Sequence, residues 1–231
     1  MNVSVIIPVL NEAALLESAI RRAWSAGADE VLVCDGGSDD ETVQIADQQA
    51  CRLLHCQRGR GVQQNQGARV SDGEVLLFLH VDTWLEPGAI EQIRFVLACN
   101  SRHGGGFRQS IDAEGLRYRW LESGNAARIQ HLGLAYGDQG IFVRRSTFEQ
   151  LGGFAEIALM EDLRFMRSLR RLSRPTLLPG PLHVSARRWQ TQGVVRQTLR
   201  NWSLLAAEKL RVSPDRLARH YPQSQGKGEE F

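Results

Sequence analysis

VSVIIPVLNE, residues 3–12, and VLVCDGGSDDET, residues 31–42, are the two stretches whose reading decides the fold. Val3–Val9 is a continuous apolar, β-branched run with no polar alternation, the pattern of a strand covered on both faces. Asn11 is placed to cap the helix that follows, where Leu16, Ile20 and Ala23 recur at three- and four-residue spacing. Glu30–Cys34 repeats the strand signal and ends in Asp35-Gly36-Gly37-Ser38-Asp39, after which Ser38 or Asp39 caps a helix to about Ala50.

The same alternation continues outward. Arg52–His55 predicts a short third strand, and the loop Arg58-Gly59-Arg60-Gly61 leads into a helix around Gln63–Val70. Ser71-Asp72-Gly73 is a turn, and Glu74–His80 predicts a fourth strand. Pro87 then starts a helix with Ile90, Ile93 and Val96 or Leu97 on one face. Repeated β-α-β units imply an open, mostly parallel sheet with helices on both faces, hence one α/β domain. Beyond residue 100 the expected elements are a strand near Gly106–Ser110, a helix near Leu116–Gln130, and a strand at Gly140–Val143. A helix at Glu161–Arg171 and an amphipathic one over about 192–211 follow, and the polar tail 222–231 is expected to be disordered.

Composition narrows the class. At 231 residues, 42% hydrophobic and 23% charged, the chain can bury one sizeable core and is not disordered overall. No basic leader precedes the first apolar run, and no stretch reaches the roughly 20 apolar residues of a membrane span. Cys34, Cys51, Cys56 and Cys99 form no CxxC pair, which predicts reduced thiols, a cytoplasmic location and no zinc site. Residues 1–160 carry 14 basic against 20 acidic side chains, whereas 161–231 carry 14 against 6. The basic part is either a solvated helical surface or a face for an anionic partner, a diphosphate or a membrane. No nucleic-acid partner is expected.

The useful polar residues fall at strand ends. Asn11 and Glu12 follow the first strand, Asp35 the second, the Arg60 loop the third, and Asp82 the fourth. In an open parallel sheet these positions share the carboxyl edge, where ligands bind.

On these blocks, together with GRGVQQNQGA (59–68), LLFLHVDTWLEPGAI (76–90), GDQGIFVRRSTFEQLGGF (137–154) and MEDLRFMRSLRR (160–171), the chain resembles family 2 glycosyltransferases. The blocks occur in the family's order. The resemblance implies a GT-A-like nucleotide-diphospho-sugar transferase fold over residues 1–221, with a nucleotide-binding half at about 1–100 and an acceptor half at about 101–191. It also implies a UDP- or GDP-sugar donor, an acceptor not specified by any motif, and inversion at the anomeric carbon.

Each residue keeps two readings. Asp35 and Glu12 suit the base imide or ribose hydroxyls, yet Asp35 can equally form a turn and Glu12 fill a first helical turn. Pro8, Asn11, Arg60 and Asn65 match the family's donor-side segments. His80-Val81-Asp82 occupies the place of the family's Asp-x-Asp element. On a strand, His80 and Asp82 point to one side and could share a cation, Mn²⁺ by preference over Mg²⁺ because one donor is an imidazole. His80 could instead bond the ribose or sit in the core. Asp162 is by resemblance the general base and Glu161 its neighbour, although an acidic pair also suits a helix start. Gly137, Asp138 and Gln139 match the acceptor side. Arg187 and Trp189 suit a diphosphate and a sugar face, or a plain basic surface. Val195, Leu199, Trp202 and Ala206 on one helix face allow peripheral membrane contact, or packing on the domain or in a homodimer. Two other functions compete: a catalytically silent sugar-nucleotide-binding module, and a nucleotidyltransferase, which Pro-Val-Leu-Asn-Glu after the first strand argues against.

Overall fold

A computed structural model describes residues 1–186. Strand β1 (Val3–Val9), helix α1 (Ala13–Ser25), strand β2 (Glu30–Asp35), helix α2 (Thr42–Asp47), strand β3 (Arg52–His55) and helix α3 (Arg60–Val70) follow in turn. They lead to β4 (Val75–Phe78), β5 (Thr83–Leu85), α4 (Glu91–Leu97) and β6 (Gly104–Asp112). Helix α5 (Leu116–Ala127) runs on into a wider π-helical turn at Arg128–Leu132. A 3-10 turn at Gly137–Gln139 precedes β7 (Ile141–Arg144), α6 (Arg145–Gln150), α7 (Glu161–Leu172) and β8 (Thr176–Ser185).

One eight-stranded sheet runs β3-β2-β1-β4-β7-β6-β8-β5. Its first half is parallel throughout, as the repeated units require. Pairs β4–β7, β6–β7 and β5–β8 are antiparallel, and β6–β8 is parallel.

The unbroken apolar runs are explained by two cores. Val3, Val5, Ile7 and Val9 face one side, against Leu16, Ile20 and Ala23 of α1 and Ile90, Ile93 and Leu97 at α4. Ile6 faces the other, with Ala68 of α3 and Phe165, Met166 and Leu169 of α7. β2 and β4 divide in the same way: Val33 and Leu77 on the first side, Cys34 and Phe78 on the second. Each fully buried aliphatic contributes about 1.5–3 kcal/mol, so both faces are needed to hold the sheet.

β8 is not signalled by the sequence because Pro179, Gly180 and Pro181 lie in its middle. Register against β6 steps from Phe107↔Leu178 to Gln109↔Leu182 at that point, so the prolines sit in a bulge and no ladder donor is missed. The Gln92 amide of α4 clamps the bulge, donating to Gly180 O and accepting from Gly180 N, each at 3.0 Å.

Candidate active site

Helix α3 connects the parts of the site. Gln63 is buried, and its Nε2 donates to Val9 O at 2.8 Å and Cys34 O at 2.7 Å, fastening the ends of β1 and β2 to the helix. One turn earlier, Arg60 Nη1 lies 3.4 Å from Glu161 Oε1 of α7. Between them Gly61 packs so closely that a Cβ would stand 2.6 Å from Ala155 O. A single rigid element therefore spans from the strand ends to the acidic pair.

At the strand ends, the loops after β1 and β2 hold each other. Asn11 takes a left-handed φ of 56°, its N–H donates to Ser38 Oγ and its Oδ1 accepts from Asp39 N, both at 2.9 Å. The capping role expected of Asn11 is thus corrected: α1 starts after Glu12 with no side-chain cap. Asp40 Oδ2 instead accepts from Ala13 N at 3.2 Å. Ser38 and Asp39 do not cap α2 either, since that helix starts later, at Thr42. Asp35, only 2% exposed, accepts from Gly37 N at 3.0 Å and Ser38 Oγ at 2.5 Å, so it shapes its own turn. His55 Nδ1 lies 4.0 Å from it. Glu12 is half-buried and its N–H donates to Thr42 Oγ1 at 2.8 Å; Pro8 is half-buried opposite Cys34.

The expected strand geometry at His80 and Asp82 does not hold. β4 stops at Phe78, and the chain turns at Val81-Asp82, with Thr83 N donating to His80 O at 3.1 Å. The imidazole packs on Gly137, where a Cβ would stand 2.6 Å from Nε2. Asp82 is half-buried and its carbonyl accepts from Ser185 N at 3.2 Å. Among the described residues no group of three or more His, Cys, Asp or Glu side chains is set to hold a metal. Imidazole and carboxylate are both donor types that a divalent cation accepts beside phosphate oxygens and water.

The acidic pair is divided between two partners. Met160, at a left-handed φ of 68°, turns the chain into α7. Glu161 is buried against Arg60. Asp162 Oδ2 accepts from Gly137 N at 2.7 Å, and its Oδ1 accepts from Leu163 N at 2.6 Å. Burial pushes the Asp162 carboxyl up to about 6, and the neighbouring Glu161 charge adds to the rise; the Gly137 N–H and Arg60 oppose it. A carboxylate in that range can accept a proton near neutral pH.

Gly137 thus joins His80 to Asp162. Next to it, Asp138 Oδ1 is buried with no hydrogen-bond partner among the described residues. Gln139 has an internal place rather than a cleft-facing one: it is fully buried and its Oε1 accepts from Arg128 Nη2 at 2.5 Å and Tyr136 N at 3.1 Å. Asn65 gives both amide atoms to the Phe154 backbone, each at 2.9 Å, so it ties α3 to the chain before α7. Arg187, Trp189 and the 192–211 stretch lie outside the described residues.

Sequence reasoning does not reach three contributors. Gln63 could have been found three residues after Arg60, on the same helix face. Arg128 lies 3.6 Å over the Tyr136 ring, and burial lowers the guanidinium and raises the phenol. No sequence signal pairs those two.

Comparison with known proteins gives one consistent pattern. The model of the family described as glycosyl transferase family 2 matches residues 4–149. A PGL/p-HBAD biosynthesis glycosyltransferase of Mycobacterium bovis is 28% identical over 209 residues, covering 85% of this chain and 79% of its own. Among solved structures, a mannosyltransferase from Pyrobaculum calidifontis in complex with GDP-Man and Mn²⁺ superposes with a TM-score of 0.61 at 18% identity. The match covers 80% of this chain but 56% of that one, so this chain spans little more than half its length. Glucosyl-3-phosphoglycerate synthase from Mycobacterium tuberculosis, with Mn²⁺ and UDP, gives 0.57 at 19% identity, covering 80% and 70%. These likenesses show a GT-A-type fold.

Proposed function

This chain belongs to glycosyl transferase family 2, and from that premise we propose that it transfers a sugar from a nucleoside diphosphate sugar to an acceptor hydroxyl with inversion. The observation that carries the reading is Asp162, a carboxylate fixed by the Gly137 N–H and tuned to about 6. In the proposed step the acceptor oxygen attacks the anomeric carbon from the face opposite the diphosphate. Asp162 takes the hydroxyl proton, and the bond to the diphosphate breaks with its electron pair going to the phosphate oxygen.

Asp35 and Glu12 stand at the ends of β1 and β2, where the base and ribose of the donor would lie. Asp82, with His80, would hold a divalent cation whose charge offsets the departing diphosphate. The nucleotide and Mn²⁺ held by the mannosyltransferase and the phosphoglycerate synthase support a UDP- or GDP-sugar with Mn²⁺ or Mg²⁺. Among the described residues no helix is long and apolar enough to cross a membrane.

The test is a thermal-shift panel of nucleoside diphosphates and their sugars, with and without Mn²⁺ and Mg²⁺, run beside an assay for nucleoside diphosphate release. Binding at a hundredfold excess over Kd stabilises by about 2.7 kcal/mol. No shift and no release with any donor would overturn the reading.

A further inference from the structure

Helix α5 presents a face that neither main core uses. Leu116 and Trp120 lie four residues apart on one side and are each 78% exposed; Leu132, a turn beyond the helix end, is 55% exposed. With Arg117, Arg128 and His131 they line a groove of about 890 Å³. That volume is in the range of small-molecule sites. Exposed apolar residues scattered singly need no explanation, but three around one concavity do. The lining carries two arginines and a histidine and no carboxylate.

Arg128 joins the groove to Asp162. Its Nη1 donates to Asn125 Oδ1 at 2.9 Å and its Nη2 to Gln139 Oε1, which fastens the groove wall to the Gly137–Gln139 turn. The guanidinium is close enough to Asp138 and Asp162 to feel both charges. The groove wall therefore connects to the proposed base through Arg128 and the Gly137–Gln139 turn, whose first N–H holds Asp162.

We propose that this groove seats the acceptor, and that the acceptor is a small anionic amphiphile. Its aryl or alkyl body lies against Leu116, Trp120 and Leu132. Its anionic group meets the Arg117 and His131 rim, and its hydroxyl reaches toward Asp162. The charge of the lining selects an anion over a neutral apolar molecule. This rests on the glycosyltransferase reading of Asp162 and adds the acceptor's chemical class.

The test uses the full chain and decyl phosphate below its micellar concentration, with decanol as the uncharged control, followed by calorimetry. Trp120 and Arg117 are exposed, so Trp120→Ala and Arg117→Gln should both fold. Wild type should bind decyl phosphate at one site, Trp120→Ala should weaken it at least about tenfold, and Arg117→Gln should remove the preference over decanol. Equal affinity in wild type and Trp120→Ala overturns the proposal. If Trp120→Ala instead loses only binding to phosphatidylglycerol vesicles, the face docks on a membrane and the proposal falls. A dimer that Trp120→Ala converts to monomer in sedimentation assigns the face to a second copy, and the proposal falls in that case too. Nucleoside diphosphate release is scored separately: groove binding as expected without any release from wild type sinks the transfer reading, and the acceptor role of the groove falls with it although the amphiphile binds.

Discussion

Gly137 and Asp162, 25 residues apart in the chain, are joined by a 2.7 Å hydrogen bond from the glycine N–H to the carboxylate, and His80 packs against the same glycine. The space for a side chain at this position is already taken.

Gly137→Ala should therefore keep the fold and lose turnover. Its Cβ would stand 2.6 Å from His80 Nε2, so the imidazole or the turn that holds Asp162 must shift, while the 3.5 Å approach to Asp162 Oδ2 is an ordinary contact. A displacement on the order of 1 Å costs about a hundredfold in rate. Circular dichroism and kcat measured together check this, and an unimpaired kcat would remove Gly137 as the positioning residue.

Asp162→Asn should lower transfer by about two to four powers of ten while nucleotide affinity changes little. Isothermal titration with the nucleoside diphosphate, alongside the rate assay, separates the two effects. Unchanged turnover in this variant eliminates Asp162 as the base.

The pH profile has a predictable sign. Transfer needs the ionised carboxylate, so the rate should rise through an acidic limb near 6, the value toward which burial and Glu161 push Asp162. Stability runs the other way. The folded value lies above the ordinary 3.8, so the stabilising contribution of the protonated form is full below about 4 and is lost as pH rises through about 6. A rise of that size corresponds to about 3 kcal/mol. Asp162→Asn should accordingly gain stability relative to wild type between pH 5 and pH 8. Melting curves at those two values check it, and a constant offset would count against the shift.

Gln63→Leu should be costly although it touches no reacting group. It leaves Val9 O and Cys34 O without their buried donor. Each unsatisfied group costs about 1–3 kcal/mol, so urea unfolding should show a loss of several kcal/mol. A loss under about 1 kcal/mol would mean that other donors replace the amide.

Much of the fold can be read from the residues, for physical reasons that also mark where reading stops. Val3–Val9, Val31–Cys34 and Val75–Phe78 are legible because both sheet faces are buried, which forces unbroken apolar runs. Glu161-Asp162 is legible as a pair at a helix start, and α7 does begin there. Asn11 misleads because a residue suited to capping also tolerates a left-handed φ, and the structure uses the second property. The His80–Asp82 alignment fails because a strand period holds only while the strand lasts, and β4 ends two residues before His80. β8 is hidden by Pro-Gly-Pro, whose meaning as a bulge depends on which strand lies beside it. Gln139 and Asn65 stand out by pattern, but their side-chain partners are set by tertiary contacts between distant segments.

Helix α3 carries Gln63 and Arg60 three residues apart, about 4.5 Å along its axis. It works as a ruler: the separation between the strand ends and the acidic pair is set by helical rise, not by a flexible hinge. Parting the strand ends from the acidic pair would mean breaking α3 or its fastenings, the Gln63 amide bonds and the Arg60–Glu161 pair. One residue inserted between positions 60 and 63 would swing the two anchors apart by about 100° and uncouple the halves at a stroke.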